Sequence, residues 1–191
     1  MELLTRVNKR IEENKAEMIS SLSKLISIPS VVSDAKGNMP FGEDVHKAYL
    51  FMMQKAEEEG FDLFDADNYG GHIDFTGTED GIVGIVGHLD VVPEGSGWDF
   101  EPYGGEIIDG NICGRGTTDD KGPVIASFYA MKALKEAGYQ PECTIRLILG
   151  LVDADSGELI IATKDGNKIP VSECTRRFCS YVPQGNAIFS G

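Results

Sequence analysis

Three stretches between Gly84 and Pro123 place a histidine and several carboxylates at the ends of apolar runs: GIVGHLDVVP, GWDFEPY and GRGTTDDKGP. His88 lies just beyond the β-branched run Ile82–Val86. In open α/β sheets ligands collect outside the carboxyl ends of strands, which suits His88 to a site. Asp90, two residues on, points to the same side of an extended chain and could steady the imidazole from behind. Taken alone, the pair also fits a histidine hydrogen-bonded at a strand end. Asp119 and Asp120 stand between a glycine-rich turn and an apolar segment. One of them could cap the helix that follows, or a carboxylate there could accept metal ions. Its two oxygens could bridge a metal pair about 3.5–4 Å apart, the spacing that clamps the attacking and leaving oxygens of a hydrolysis.

The elements that must position these residues follow from periodicity. Leu4, Val7, Ile11, Met18, Leu22 and Leu25 recur at helical steps, predicting a helix from about Leu3 to Ile28 that Pro29 stops. Residues 30–42 read as a loop. A second helix is expected from about Glu43 to Glu59, with Val45, Ala48, Tyr49, Met52 and Ala56 as its buried stripe and Gly60 as its C-cap. Short strands are expected over Phe61–Asp65 and His72–Thr76. Ile82–Val86, continuously apolar, reads as a strand buried on both faces. Asp109-Gly110 marks a hairpin between Glu106–Ile108 and Asn111–Cys113. A third helix, apolar nearly all round, should run from about Pro123 to Ala137, followed by a strand over Thr144–Leu149. This order predicts an α/β domain with a mixed, largely buried sheet flanked by helices.

Composition excludes some partners. Among 191 residues, 31 acidic against 17 basic side chains give a net charge of -14, a field that repels nucleic acid and anionic membrane surfaces. No apolar run approaches the roughly 18 residues needed to cross a bilayer. The N-terminus has no apolar signal-peptide core, so a cytoplasmic location is expected. Cys113, Cys143, Cys174 and Cys179 show no CxxC spacing and are expected as free thiols.

GHLDVVP, GWDFEPY, IIDGNICGRGTTDDKGP and the strand TIRLILG, in this order, resemble the dinuclear zinc metallopeptidases that include dipeptidases, aminoacylases and desuccinylases. PFGEDVHKAYLFMMQKAEEEGF followed by DNYGGHIDF looks most like the PepV-type dipeptidase branch. The resemblance covers about residues 1–150 and implies the N-terminal part of a zinc-peptidase catalytic domain. Carried over by position, His88 matches a histidine that binds one zinc, and Asp119 matches the carboxylate that bridges both ions. Asp90, the candidate catalytic carboxylate, matches the aspartate that supports the histidine. The implied reaction is amide hydrolysis by zinc-bound water, whose pKa falls to about 7 on the metal. The implied substrates are dipeptides or N-acyl amino acids.

After Gly150 the resemblance stops. The family places a Glu-Glu-(Ser/Thr)-Gly motif there, whereas this chain has Ala154 and Asp155 before Ser156-Gly157. Alanine cannot serve as the general base. Residues 151–191 are therefore expected to be an unassigned tail with a hairpin around Asp165-Gly166-Asn167, and the sequence holds no counterpart of the family's lid domain. Three origins stay open: a truncated or frameshifted enzyme, a shortened hydrolase with rebuilt ligands, or a catalytically inactive binding or assembly module. Apolar surface left without the missing elements is expected to promote self-association.

Overall fold

Leu3–Ile26 form α1, which ends two residues before the predicted limit. The structure is a computed structural model that describes residues 2–150 and, beyond them, the backbone of two short strands at 160–162 and 168–170. Leu25 and Ile26 of α1 are fully buried, while Leu4 and Ile11 are exposed among the described residues. Only the C-terminal half of the expected stripe therefore packs. Glu43–Glu58 form α2 and bury Val45, Ala48, Tyr49, Met52 and Ala56, the stripe that the spacing predicts. Glu43 and Asp44 sit in its first turn, where negative charge suits the helix dipole. Lys121–Glu136 form α3, whose buried residues include Val124, Ile125, Phe128, Tyr129 and Met131. Pro123, Ala126 and Ala130 remain exposed, so α3 is buried on most of its circumference but not all of it.

The strands are β1 (Asp62–Asp65), β2 (Gly71–Phe75), β3 (Ile82–His88), β4 (Glu106–Ile108), β5 (Asn111–Cys113) and β6 (Thr144–Gly150). One sheet has the order β1-β2-β6-β3, and β4-β5 form a separate hairpin. β1-β2 and β2-β6 are antiparallel, whereas β3 runs parallel to β6. The α3 crossover between β3 and β6 accounts for that parallel pair. Beyond them, Ile160–Ala162 (β7) pairs antiparallel with Lys168–Pro170 (β8). The chain divides into two units, Met1–Val152 and Asp153–Gly191.

Register assigns each side chain to a face. Leu63, Ile73, Leu147 and Ile85 stand opposite one another across the sheet, as do Gly71, Leu149 and Gly87. Ile73, Phe75, Leu147 and Leu149 from this face join Leu25, Tyr49, Met52, Phe128 and Met131 from the helices in one core. The other face carries the row Phe64, His72, Ile148, Val86 and the row Asp62, Asp74, Arg146, Gly84. Phe64 is 54% exposed and Val86 74%. The expectation that Ile82–Val86 is buried on both faces is thus corrected. Among the described residues β3 is an edge strand paired only with β6, and Ile82 and Val83 are also exposed.

Arg146 ties the strands together on that second face. Its Nε donates to Asp74 Oδ1 at 2.8 Å and its Nη2 to Asp74 Oδ2 at 2.7 Å. The side chains are 26% and 13% exposed, so this is a forked and largely sheltered pair. Lysine cannot reproduce the fork. Arg146→Lys is expected to lower stability by about 1–1.5 kcal/mol, read as a shift in the urea midpoint with unchanged m-value.

Candidate metal centre

The parallel register of β3 with β6 ends on His88 opposite Gly150, at the carboxyl edge of both strands. Two loops meet there. His88–Val91 leaves β3, and Gly114–Asp120 leads into α3.

His88 Nε2 lies 3.0 Å from Asp119 Oδ1. On the other side of the ring, Nδ1 lies 3.1 Å from the Asp90 carbonyl oxygen and 3.4 Å from Asp90 Oδ1. The imidazole is therefore held between two acidic residues that the sequence singles out. Hydrogen bonding to Asp90 raises the His88 pKa to about 9, with Asp119 adding to it and burial opposing it. Asp119 is the exposed member of the acidic pair, with 58% of its side chain accessible.

Asp120 does something else. It occupies the N-cap position of α3 but makes no side-chain cap hydrogen bond. Its Oδ2 instead accepts the backbone N–H of His88 at 3.1 Å. Burial raises its pKa, and the His88 amide counters that. The peptide bond between Asp119 and Asp120 is cis.

Two residues that sequence reasoning did not single out hold the loops in place. Lys121 is fully buried, and its Nζ donates to the carbonyls of Leu25 and Ile28 at 3.0 and 2.6 Å. Burial lowers its pKa to about 8. Ser30, also fully buried, donates through Oγ to Leu89 O at 2.6 Å, and Val91 N donates to Ser30 O at 2.9 Å. A lysine at a helix start reads as solvated, and a serine after Pro29 reads as loop, so neither carried a signal. The GWDFEPY loop is tied separately: Trp98 Nε1 and Arg115 Nη2 both donate to Glu94 O, and Tyr103 donates to the Glu94 carboxylate.

The donor set can be tested against a metal ion. Zinc binds histidine nitrogen and carboxylate oxygen at roughly 2.0–2.2 Å, which puts two tetrahedral ligands about 3.3 Å apart. The 3.0 Å between His88 Nε2 and Asp119 Oδ1 is close to that separation. A metal-binding histidine also turns its other nitrogen to a carboxylate or carbonyl, as Nδ1 does to Asp90. The pair fits as two ligands of one ion. Among the described residues no group of three or more His, Cys, Asp or Glu is arranged to hold one ion, so His88 and Asp119 by themselves fall short of a full ligand set. Ala154 and Asp155, which stand where the resemblance puts the glutamate pair, lie outside the described residues. So do Cys174 and Cys179, while Cys113 and Cys143 are free. A cavity of about 330 Å³ lined by Arg6, Lys9, Arg10 and Glu136 shares no residue with this centre.

Residues 84–151 match the sequence profile described as Peptidase family M20/M25/M40. Over 142 residues the chain is 39% identical to the Beta-Ala-Xaa dipeptidase of Lactobacillus delbrueckii subsp. lactis, a match covering 73% of this chain and 30% of that protein. Its fold resembles human carnosine dipeptidase 1, with a TM-score of 0.68 at 24% identity over 78% of this chain and 35% of the other. It also resembles the di-peptidase Dug1p of Saccharomyces cerevisiae, with a TM-score of 0.64 at 26% identity over 77% and 34% of the two chains. The chain spans about 30% of the length of the curated relatives it matches. By fold, sequence profile and these likenesses together, residues 84–151 fall within a peptidase family M20/M25/M40 domain, and the described fold is similar to the N-terminal part of that family's catalytic domain.

Proposed function

We propose that the chain carries half of a dinuclear zinc centre for hydrolysing small peptides, dipeptides before N-acyl amino acids. The observation that carries this reading is the His88 Nε2 to Asp119 Oδ1 separation of 3.0 Å, with Nδ1 backed by Asp90. The names of the relatives, a Beta-Ala-Xaa dipeptidase and a carnosine dipeptidase, favour dipeptides.

Within this reading His88 binds one ion through Nε2, and Asp119 offers two oxygens that can be shared between ions. Asp90 acts on the imidazole: hydrogen bonding at Nδ1 fixes the tautomer that presents a lone pair at Nε2, and keeps the ring from turning. Asp120 holds the backbone of His88, so the ring and the Asp119 carboxylate start from one rigid corner. When bound, zinc supplies a Lewis acid and lowers the pKa of a coordinated water to about 7. No residue of this chain is assigned the general-base role, because Ala154 stands where the resemblance puts that base and alanine cannot take a proton. The proposed setting is the cytoplasm, with neither nucleic acid nor membrane as partner and with copies of the chain associating through exposed sheet. Among the described residues no helix is long and apolar enough to cross a membrane.

The test is turnover of a dipeptide panel with zinc, cobalt or manganese, together with metal counting. Two ions per chain and hydrolysis that His88→Ala reduces by at least a thousandfold are expected, since the variant removes a ligand of the reactive ion (about 4 kcal/mol in the barrier). One loosely held ion or none, with no turnover, would support an inactive binding or assembly module instead.

A further inference from the structure

We propose that Lys121 is a positioning residue: through the end of α1 it fixes where Asp119 stands relative to His88. The inference rests on reading His88 and Asp119 as metal ligands and adds a residue to that site.

The geometry is that of a common anchor. Lys121 Nζ donates to Leu25 O and Ile28 O, at the last turn of α1 and just after it. Ser30, two residues on, holds Leu89 through its hydroxyl and receives Val91 N at its carbonyl. Val31 and Val91 form a parallel bridge alongside. The Asp119 loop and the His88 loop are thus fastened to one short segment, Leu25–Val31, and both fasteners, Lys121 and Ser30, are fully buried. Packing closes the gap between the loops. A Cβ at Gly116 would lie 3.0 Å from both Lys121 Cδ and Val91 Cγ1, so the lysine stem and the valine of the histidine loop share one wall.

A lysine is an expensive choice for this place. It is the first residue of α3, where a cation opposes the helix dipole, and it has no exposed surface. Its ammonium is oriented by what lies opposite. The carbonyls at the end of α1 carry partial negative charge, which a cation satisfies, and Asp90 on the His88 loop attracts it electrostatically. A cation here stabilises the encounter of α1, the Asp119 turn and the Asp90 loop at the expense of α3 alone.

The experiment follows the His88 ring resonance by NMR in the metal-free protein. Asp119→Asn should shift it in the wild-type background. In Lys121→Met the same change should shift it by about half as much or less, because the two side chains no longer face each other. Ser30→Ala, a milder loss, should reduce the shift in the same direction. Circular dichroism establishes that each variant is folded. Cobalt affinity should fall on the order of tenfold in Lys121→Met, while Arg146→Lys, in the sheet, leaves it unchanged. An Asp119→Asn shift of equal size with and without Lys121, no shift in the wild-type background, or cobalt affinity unaffected by Lys121→Met overturns the inference. Wild-type protein that takes up no cobalt, yet shows the Lys121-dependent shift, refutes the metal reading and supports Lys121 as the positioning residue.

Discussion

Gly87→Ala is expected to destabilise the protein by about 2–3 kcal/mol and to loosen the backbone of His88. A Cβ at position 87 would lie 2.5 Å from Val124 Cγ2 and 2.8 Å from Asp120 Oδ2. Neither neighbour yields cheaply. Val124 is 1% exposed, and its branched side chain has one favoured rotamer in a helix, so it cannot swing into space. Asp120 Oδ2 holds the His88 amide, and displacing it strips a half-buried carboxylate of its only described hydrogen bond. Either β3 moves away from α3 or Asp120 turns out, and both separate His88 N–H from its acceptor. Urea unfolding reads the stability, and amide exchange at His88 reads the hydrogen bond. Gly84→Ala in the same strand is the control, because its Cβ would meet only Ile148 Cδ1 at 3.8 Å. It should change stability by no more than about 0.5 kcal/mol. If Gly87→Ala matched it in both readings, the close approach of β3 to α3 would not be constraining the site.

That close approach was not legible in the sequence, although its participants were. Helical spacing in Val45, Ala48, Tyr49, Met52 and Ala56 gave the buried face of α2 because amphipathic periodicity depends only on the chain itself. The same logic overreached in α1, where Leu4 and Ile11 keep the period but remain exposed among the described residues. An apolar run such as Ile82–Val86 states that a strand can be buried. Whether it is depends on what lies on its second edge and second face, which no local pattern encodes. The site divides similarly. Residue type and spacing marked His88, Asp90 and the Asp119-Asp120 pair as candidates, the family resemblance chose Asp119 from that pair, and the fold brings His88, Asp90 and Asp119 together. Either Asp119 or Asp120 could have capped α3, and Asp120 takes the N-cap position without a side-chain cap bond. Its carboxylate turns instead to a strand amide that is distant in sequence, at 3.1 Å. Lys121 and Ser30 act through backbone carbonyls of α1 and the His88 loop, contacts that leave no mark on residue type. What sequence reasoning finds is chemistry; what it misses is the scaffold that aims the chemistry.

Val86→Lys is expected to convert self-associated chain into monomer without loss of fold. Val86 is 74% exposed, so lysine there removes no buried contact and should alter stability by no more than about 0.5 kcal/mol. Its effect on association should be far larger. Among the described residues strand β3 pairs with another strand on one edge only, and from Ile82 to Gly87 it carries no charge. Sheet edges of that kind are ordinarily blunted by a lysine, a proline or a bulge, because a bare edge is a template for another strand. The face beside it adds apolar area through Phe64, Ile148 and Val86 in one row and Ile82 further along. Opposing this is the net charge of -14, which repels a second copy. The repulsion is long-ranged and screened at a Debye length of about 8 Å at physiological salt, whereas edge pairing and apolar contact act only at touching distance. Association should therefore strengthen as salt is added, the opposite of what an interface held by ion pairs would do. Sedimentation velocity at low and physiological ionic strength separates these cases. Wild-type protein that stays monomeric in both would show that the edge is already covered, and a Val86→Lys variant that associates as the parent does would place the contact elsewhere. A lysine at Ile85, one residue back and on the helix-covered face, should instead unfold the domain, because there the charge would enter the core beside Leu147.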